Sequence, residues 1–314
     1  MKKKELTKLG ISFVIALVIY GVLSYAVNTG MIGYYESSLL TLTCINIVLA
    51  TSLNLASGYL GQLTLGHAGF MAVGAYVSAL LGIHLQLPLV VCLAAGSIAA
   101  GFVGFLIGMP TLRLKGDYLC IITLAFNEII RVILLNLNIT NGAKGLMGMP
   151  GVIDFDGAFL SVVITIYVIY AIVKSRHGRA IISIREDEIA SELTGINVTY
   201  YKILAFAISA LFAGLAGGLY AHYMGMLVPK SFDYNKSVEI LVMVVLGGLG
   251  NLKGSVIAAI VLTILPEMLR EFSDYRMLLY AIVLIATMIF KETKILEKIK
   301  ENKKRKHPKK EVAK

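Results

Sequence analysis

The chain has 314 residues, of which 57% are hydrophobic and 15% are charged, and its formal net charge is +10. Because a soluble globular domain carries about one quarter charged residues, this composition excludes an ordinary soluble domain and indicates a membrane protein. All of the net charge lies at the two ends: residues 1–8 contribute +3, residues 291–314 contribute +7, and the residues between them contain equal numbers of acidic and basic side chains.

The position of the basic residues predicts the orientation of the chain. Lys and Arg are retained on the cytoplasmic side of membrane spans, so both ends are expected in the cytoplasm and the number of crossings is expected to be even. The sequence therefore divides into a basic cytoplasmic N-terminus (1–8), a transmembrane domain (9–290) and a Lys-rich cytoplasmic tail (291–314). The tail is expected to be a partly helical, solvated extension that fixes the topology, and the alternative is contact with anionic membrane lipid. A nucleic-acid partner is not expected, because the positive charge flanks apolar spans.

A helix that crosses the hydrocarbon core needs about 20 apolar residues, and ten segments of the chain are candidates. They are residues 9–27, 38–56, 68–84, 88–108, 119–138, 157–173, 203–222, 237–250, 253–271 and 276–290. We therefore predict an all-α polytopic membrane protein, a bundle of about 8–10 transmembrane helices. The lower count makes the short segments 68–84 and 237–250 re-entrant. Gly104 and Gly214 each have a second glycine four residues later, which is typical of close helix packing.

Two glycine-rich segments interrupt this apolar pattern in similar ways. One runs from Gly58 to His67 (GYLGQLTLGH) and the other from Gly247 to Ser255 (GGLGNLKGS). Irregular backbone at membrane depth is tolerated only where protein or a water-filled cavity covers it, and interrupted spans point to a transport site. The alternative interpretation is a pair of ordinary cytoplasmic turns with glycine caps.

Polar side chains within spans are costly and are therefore candidates for the translocation pathway. The candidates are Asn54, Gln62, Thr64, His67, Asn127 and Glu128, with Asn46 and Arg131 as further polar residues in spans. For His67 the alternative is a structural hydrogen bond. For Glu128 the alternative is an ion pair with Arg131, three residues later on the same helix face. The Cys and His residues show no metal-ligand spacing, so no metal site is predicted.

The long polar stretch inside the apolar part of the chain, residues 174–202, is predicted to contain a short amphipathic helix over about 182–196. Apolar residues recur there at helical spacing, acidic residues occupy the other faces, and Gly195 is expected to end the helix. Because a short helix between two spans has little membrane to pack on, its apolar stripe is expected to dock in a groove of a partner protein. The alternative is a helix that lies on the membrane interface.

Several segments resemble the branched-chain amino acid permeases of ABC transporters, the LivM/LivH family. The segment EIASELTGI (188–196) resembles the coupling motif of ABC permeases, and RAIISIREDEIA (179–190) resembles its version in this family. Five further blocks follow in family order over about residues 38–290: GYLGQLTLGHAGF (58–70), LRLKGDY (112–118), TLAFNEIIR (123–131), GAKGLMGMP (142–150) and GGLGNLKG (247–254). The blocks at 112–118 and 142–150 favour the LivM type over the LivH type.

The resemblance implies a non-catalytic permease subunit of an ABC importer in a bacterial cell membrane, which carries branched-chain or similar hydrophobic amino acids. It implies as partners a second permease subunit, of LivH type or a homologous copy, two cytoplasmic ABC ATPases that use ATP and Mg²⁺, and an extracytoplasmic substrate-binding protein. No cofactor is expected on this chain, whose sequence lacks the Walker A pattern GxxxxGK[ST]. The residues expected to couple it to the ATPases are Arg185, Glu186, Asp187, Glu188, Ile189, Ala190, Leu193 and Gly195.

Two other classes of transporter remain open from the sequence. An ABC permease for another small solute, such as a sugar, nucleoside or amide, has the same expected fold and docking helix. A secondary transporter driven by an ion gradient also uses broken, glycine-rich spans. It requires a coupling carboxylate at mid-membrane, for which only Glu128 is suitably placed, and it leaves the docking helix unexplained. A membrane scaffold without transport activity leaves the interrupted spans unexplained.

Overall fold

The computed structural model describes residues 20–22, 24–26, 29, 31, 33–112, 114, 116–149, 153–269, 281 and 285. This part of the chain folds almost entirely into helices, which confirms the predicted all-α class. The α-helices are α1 (Tyr34–Leu53), α2 (His67–Leu85), α3 (Leu89–Thr111), α4 (Asp117–Asn136), α5 (Phe155–Lys174), α6 (Arg176–Glu186), α7 (Glu188–Leu193), α8 (Val198–Met224), α9 (Tyr234–Gly247) and α10 (Leu252–Met268).

The other regular elements of the described chain are short. A π-helix (Asn54–Tyr59) continues directly from the end of α1, and two-residue strands form β1 (Leu146–Met147) and β2 (Met226–Leu227). Single turns of 3-10 helix lie in the connections at Asn138–Thr140, Gly142–Lys144 and Pro229–Phe232.

Six helices of the described chain are long and apolar enough to cross a membrane: α1 with its π-helix, α2, α3, α4, α5 and α8. Residues 68–84, which the lower span count treats as re-entrant because they are short, lie in the 19-residue α2. This helix is long enough to cross a membrane. Helix α9 has 14 residues, which gives about 21 Å at 1.5 Å per residue, shorter than the hydrocarbon core of about 30 Å. The predicted spans 9–27 and 276–290 lie almost wholly outside the described residues.

Glycine allows helices α2, α3 and α8 to touch backbone to backbone at the centre of the bundle. A Cβ added to Gly74 on α2 would overlap the backbone of Gly214 on α8. A Cβ added to Gly104 on α3 would overlap the Cβ of Ala210 on α8. The predicted packing role of Gly104 and Gly214 is therefore confirmed. Small residues take these places because van der Waals contact, rather than the hydrophobic effect, drives helices together in lipid.

The two ends of the bundle hold different connections. At one end, β1 pairs antiparallel with β2, so that the segments following α4 and α8 are joined there. At the other end, α6 contacts the π-helix, which in turn contacts the turn between α9 and α10. Segments 57–67 and 174–202, both of which the span count assigns to the cytoplasm, thus meet at the same end of the bundle.

The chain falls into two compact units, Met1–Thr263 and Ile264–Lys314. Every contact discussed below lies within the first unit. In the second unit the structure describes the end of α10, from Ile264 to Met268, and residues 269, 281 and 285. The predicted basic N-terminus (1–8) and Lys-rich tail (291–314) lie outside the described residues.

Candidate functional site

The prediction of one amphipathic helix over 182–196 is wrong in its boundaries, because the segment belongs to two helices, α6 and α7. Helix α6 begins at Arg176, and the Ser175 side chain caps it by accepting hydrogen bonds from the backbone N–H groups of His177 and Gly178. It ends at Glu186, since Asp187 has an extended backbone and caps α7 instead, its Oδ1 accepting from Ala190 N at 3.0 Å. Gly195, with φ +84°, follows the end of α7 as predicted.

The inner face of α6 fixes this helix to the bundle. Ile181 and Ile184 are buried in a cluster with Leu60, Val198 and Ala205, which belong to the loop after the π-helix and to α8. Full burial of one such aliphatic side chain stabilises the fold by about 1.5–3 kcal/mol. The attachment of α6 is therefore apolar on its inner side, and α6 cannot separate from the bundle without exposing this cluster.

The outer face of α7 carries apolar side chains that the described chain leaves uncovered. The exposed fractions of Ile189 and Leu193 are 68% and 84%. Glu186, Asp187 and Ala190 are also exposed, and Ser191 is the buried residue of α7. The predicted apolar stripe is thus divided between two directions. Ile189 and Leu193 on α7 face away from the bundle. Ile182 and Ile196, at the two ends of the stripe, are half-buried.

An ion pair attaches the start of α7 to α8. The Lys202 Nζ atom lies 2.9 Å from Glu188 Oε2, and the two side chains are 4% and 29% exposed. A buried ammonium group requires a counter-charge, so the contact of Glu188 in this chain is internal, and its role in docking stays a prediction. Lys202 was not recognised as a site residue from the sequence. Its position in the second turn of an apolar span is the signal that could have identified it.

Arg185, the last basic residue of α6, points into the bundle. Its Nη1 donates a hydrogen bond of 2.8 Å to the carbonyl oxygen of Gly58 at the end of the π-helix. The aliphatic part of the side chain lies over Gly61, where an added Cβ would be 2.9 Å from Arg185 Cγ. Its separation from Glu186 is 4.0 Å, at the outer limit of an ion pair. The predicted use of Arg185 in docking remains untested, and its observed contact is with the bundle.

The two glycine-rich segments meet beside this arginine. The backbone N–H of Gly250 donates to Asn54 Oδ1 at 2.9 Å. A Cβ added to Gly58 would overlap both of these groups, and one added to Gly250 would lie 2.7 Å from Arg185 Nη1. Gly250 also has φ +78°, a conformation that glycine adopts without strain. We call Asn54, Gly58, Arg185 and Gly250 the glycine junction.

The first segment is more than a turn with a glycine cap. Residues 54–59 form a π-helix, with the Leu60 N–H bonded to the Leu55 carbonyl at 3.1 Å, and π-helical turns occur frequently at functional sites. The loop that follows is partly covered by protein: Thr64 is 1% exposed, and the Leu65 N–H donates to Thr123 Oγ1 on α4 at 3.1 Å, whereas Gly61 and Leu63 are exposed.

The remaining candidates of this segment have distinct contacts. His67 is buried at the start of α2, and its Nε2 lies 2.8 Å from Ser52 Oγ, which is the structural hydrogen bond of the alternative interpretation. Gln62 is half-buried, and its backbone N–H donates to the Ala56 carbonyl at 3.0 Å. Within the described residues, Asn54 Nδ2 has no hydrogen-bond partner.

Helix α4 carries the other two pathway candidates. Asn127 is 1% exposed and faces Gly69 on α2, yet neither of its amide atoms has a hydrogen-bond partner in the part of the chain that the structure describes. Glu128 Oε2 lies 2.7 Å from Arg131 Nη2, and the two side chains are 29% and 28% exposed. The predicted ion pair between Glu128 and Arg131 is therefore confirmed.

Comparison with known proteins gives consistent matches over most of the chain. The family described as "Branched-chain amino acid transport system / permease component" matches residues 35–290. The chain is 36% identical over 320 residues to the high-affinity branched-chain amino acid transport system permease protein LivM of Escherichia coli, covering 90% of this chain and 74% of that protein. It is 36% identical over 301 residues to the protein of the same name from Salmonella typhimurium, covering 85% of this chain and 71% of that protein.

A shorter similarity joins the chain to a sugar permease. The match to the ribose import permease protein RbsC of Escherichia coli is 29% identical over 129 residues, which is 38% of this chain and 40% of that protein. No solved structure matches the chain significantly.

Proposed function

The chain belongs to the family of permease components of branched-chain amino acid transport systems. We propose that α6 and α7, which we call the docking helices, act with the glycine junction to couple partner ATPases to transport through this chain. The chain is a multi-pass membrane protein and the permease subunit of an ABC importer for branched-chain or similar hydrophobic amino acids. We place it in a bacterial cell membrane with both ends in the cytoplasm, an orientation supported by the basic residues at the two ends.

The proposal includes four partner subunits. A second permease, of LivH type or another copy of this chain, completes the membrane unit. Two cytoplasmic ATPases bind ATP and Mg²⁺ and hydrolyse ATP, so that this chain itself is non-catalytic. A binding protein on the opposite side delivers the amino acid. Selection by that protein allows the path through the permease to be mostly apolar.

The observation that carries the proposal is the outer face of α7. Ile189 and Leu193 are exposed at 68% and 84%, although α7 is fixed to α8 by the ion pair of Glu188 and Lys202. An apolar face held in place by internal contacts is suited to insertion into a groove. Burial of each of these two side chains contributes about 1.5–3 kcal/mol to docking. The exposed acidic groups of Glu186 and Asp187 lie at the edge of this face and set its register on a basic partner.

The acidic residues also argue against the membrane interface as the surface that covers α7. A helix that lies on anionic lipid carries Lys and Arg on its polar face, whereas α7 and its cap contain Asp187, Glu188 and Glu192 and no basic residue. We therefore favour a groove of a partner protein, and not the membrane surface, as the surface that covers this face of α7.

Movement of the docked helices then reaches the spans on either side. Helix α5 leads into α6 through the Ser175 cap, and α7 leads into α8 through the segment that contains Gly195. Closure of the ATPase dimer on ATP displaces α6 and α7, the flanking spans tilt, and the path changes the side on which it opens. The candidate path residues Asn54, Gln62, Thr64, His67, Asn127 and Glu128 remain predictions within this scheme.

A sugar permease is the second candidate, favoured by the match to the ribose permease over 38% of the chain. An ion-coupled secondary transporter is disfavoured, because Glu128 is already paired with Arg131 in the same helix. Its Oε2 atom is held by the arginine, whereas Oε1 is buried and has no hydrogen-bond partner within the described residues.

Reconstitution tests the function directly. The chain, its partner permease, the two ATPases and the binding protein are placed together in proteoliposomes, and uptake of leucine, isoleucine, valine and ribose is measured with and without ATP. We expect ATP-dependent uptake of branched-chain amino acids and none of ribose. ATP-dependent uptake of ribose would establish the second candidate. Uptake driven by an ion gradient in vesicles without ATPases would contradict both.

A further inference from the structure

We infer that Arg185 is a positioning residue that transmits the displacement of α6 to the glycine junction, so that its charge acts on the bundle and not on the ATPase. This inference deepens the proposed function and rests on it. It assigns to one side chain the step between docking and the rearrangement of the interrupted spans, and it reverses the outward role that the sequence alone predicts for Arg185.

The polar contact of the Arg185 side chain is directed toward the bundle. Arg185 is the last basic residue of α6, adjacent to the acidic residues that face outward, yet its Nη1 donates to the Gly58 carbonyl at 2.8 Å. Its aliphatic part covers Gly61, whose φ is +78°. The Nη1 donor of Arg185 is thus used within the bundle, although 37% of the side chain remains exposed.

The acceptor of this hydrogen bond, the Gly58 carbonyl, lies near the end of the π-helix. The last carbonyl groups of a helix have no partner within that helix, and a cation near them is favourable because the helix dipole is negative at its C-terminal end. Gly58 lies one residue before the end of the π-helix. Arg185 therefore supplies a charged donor to the carbonyl at which the membrane-spanning run α1–π-helix ends.

The contact between Arg185 and Gly58 lies against the second glycine-rich segment. The Gly250 N–H bonds to Asn54 Oδ1 at 2.9 Å, and Gly250 approaches Arg185 so closely that an added Cβ would lie 2.7 Å from Nη1. A single displacement of α6 thus acts on the end of α1, through Gly58, and on the turn between α9 and α10. Because N–H···O hydrogen bonds usually span about 2.7–3.2 Å, a small displacement of α6 is enough to disturb the bond between Arg185 and Gly58, and it moves the guanidinium against Gly250.

Helices α6 and α7 have further internal attachments besides this hydrogen bond. The pair Glu188–Lys202 links α7 to α8, and the apolar face of α6 packs on Val198 and Ala205, which also belong to α8. Arg185 adds a polar contact from α6 to the π-helix, so displacement of the two helices reaches the end of α1 as well as α8.

The test separates ATP hydrolysis from uptake in the complete reconstituted transporter. Three variants are compared with the unmodified protein: Arg185→Ala, Arg185→Lys and, as a matched control, Arg179→Ala, which removes an exposed arginine from the same helix. Copurification of the ATPases, the rate of ATP hydrolysis and leucine uptake are measured for each. The Arg185 side chain is 37% exposed, so its truncation leaves no cavity in the core.

We expect Arg185→Ala to retain its ATPases and to hydrolyse ATP, while uptake per ATP falls about tenfold, the factor that corresponds to loss of one hydrogen bond to a charged group. Arg185→Lys keeps a cationic donor and should recover much of the loss, and Arg179→Ala should match the unmodified protein.

Two results would overturn the inference. Loss of the ATPases from Arg185→Ala would show that Arg185 is a docking residue after all. Unchanged uptake per ATP in Arg185→Ala would show that the contact with Gly58 transmits nothing. Failure of the proposed function is recognised separately, since the unmodified transporter would then show no ATP-driven uptake of branched-chain amino acids.

Discussion

The ammonium group of Lys202 lies 2.9 Å from the Glu188 carboxylate, and only 4% of the lysine side chain is exposed. The pair joins the first residue of α7 to the first turns of α8. The six-residue α7 is too short to be stable by itself in water. Its position is therefore set by this ion pair, by the Asp187 cap and by the α8 segment that follows.

Glu188→Gln should destabilise the protein by about 2 kcal/mol, because it leaves the buried ammonium of Lys202 without its counter-charge. The value is smaller than for a fully buried pair, since the Glu188 side chain is 29% exposed. Denaturation of the purified protein in detergent measures the loss. The double variant Glu188→Gln/Lys202→Met should recover most of it, and two independent, additive losses would show that the residues are not coupled.

Ile189→Asp combined with Leu193→Asp should abolish copurification of the ATPases while the bundle remains folded. Both side chains are exposed in this chain, so the change costs the fold little, but it places two carboxylates in the proposed groove. Ile139→Asp is the matched control, since Ile139 is 55% exposed and lies in the connection after α4. Equal recovery of the ATPases with all variants would show that α7 does not dock.

Gly58→Ala should destabilise the protein by about 1–3 kcal/mol, the usual cost of overpacking. Its Cβ would overlap Asn54 Oδ1 and the Gly250 backbone. Gly157→Ala, in the first turn of α5, is the control, because its nearest neighbour would be at an ordinary distance of 3.8 Å. There the loss of glycine flexibility should stabilise the helix by about 0.5–1 kcal/mol. Thermal unfolding of both variants in detergent is the measurement, and a Gly58→Ala protein as stable as Gly157→Ala would contradict the close contact.

Asn127→Leu should raise the stability of the protein and lower its uptake. Within the described residues the amide makes no hydrogen bond, and a buried unpaired polar group costs about 1–3 kcal/mol, which a leucine of similar size removes. If Asn127 contributes to the path, the same change removes its polar contact with the amino acid head group. Unfolding and leucine uptake are measured on one preparation. A stabilised variant with full uptake would remove Asn127 from the pathway.

Several features of the fold were predictable from the sequence because they depend on local composition. Apolar runs of sufficient length placed the helices from α1 to α5 and α8, and the polar interval 174–202 located the docking segment. The packing of Gly104 and Gly214 followed from their spacing, since residues four apart lie on one helix face.

Other features depended on contacts between distant parts of the chain and could not be predicted. Asp187 interrupts the docking segment because its side chain caps α7, but the sequence does not distinguish a capping aspartate from an acidic residue in the first turn of a longer helix. The inward direction of Arg185 depends on the position of Gly58, 127 residues away in the chain. The meeting of the two glycine-rich segments has the same origin, since it spans 196 residues between Asn54 and Gly250.

The glycine contacts of α2, α3 and α8 also determine which parts of the protein can move. A Cβ on Gly74 would overlap Gly214, and one on Gly217 would overlap the Met71 carbonyl. The backbones of the helices are therefore in direct contact at these points, with no side chain between them that could change rotamer. Closely packed interiors are bistable rather than continuously deformable. We therefore expect these three helices to move together during transport, and relative movement to be concentrated where α1, α4 and α9 meet them.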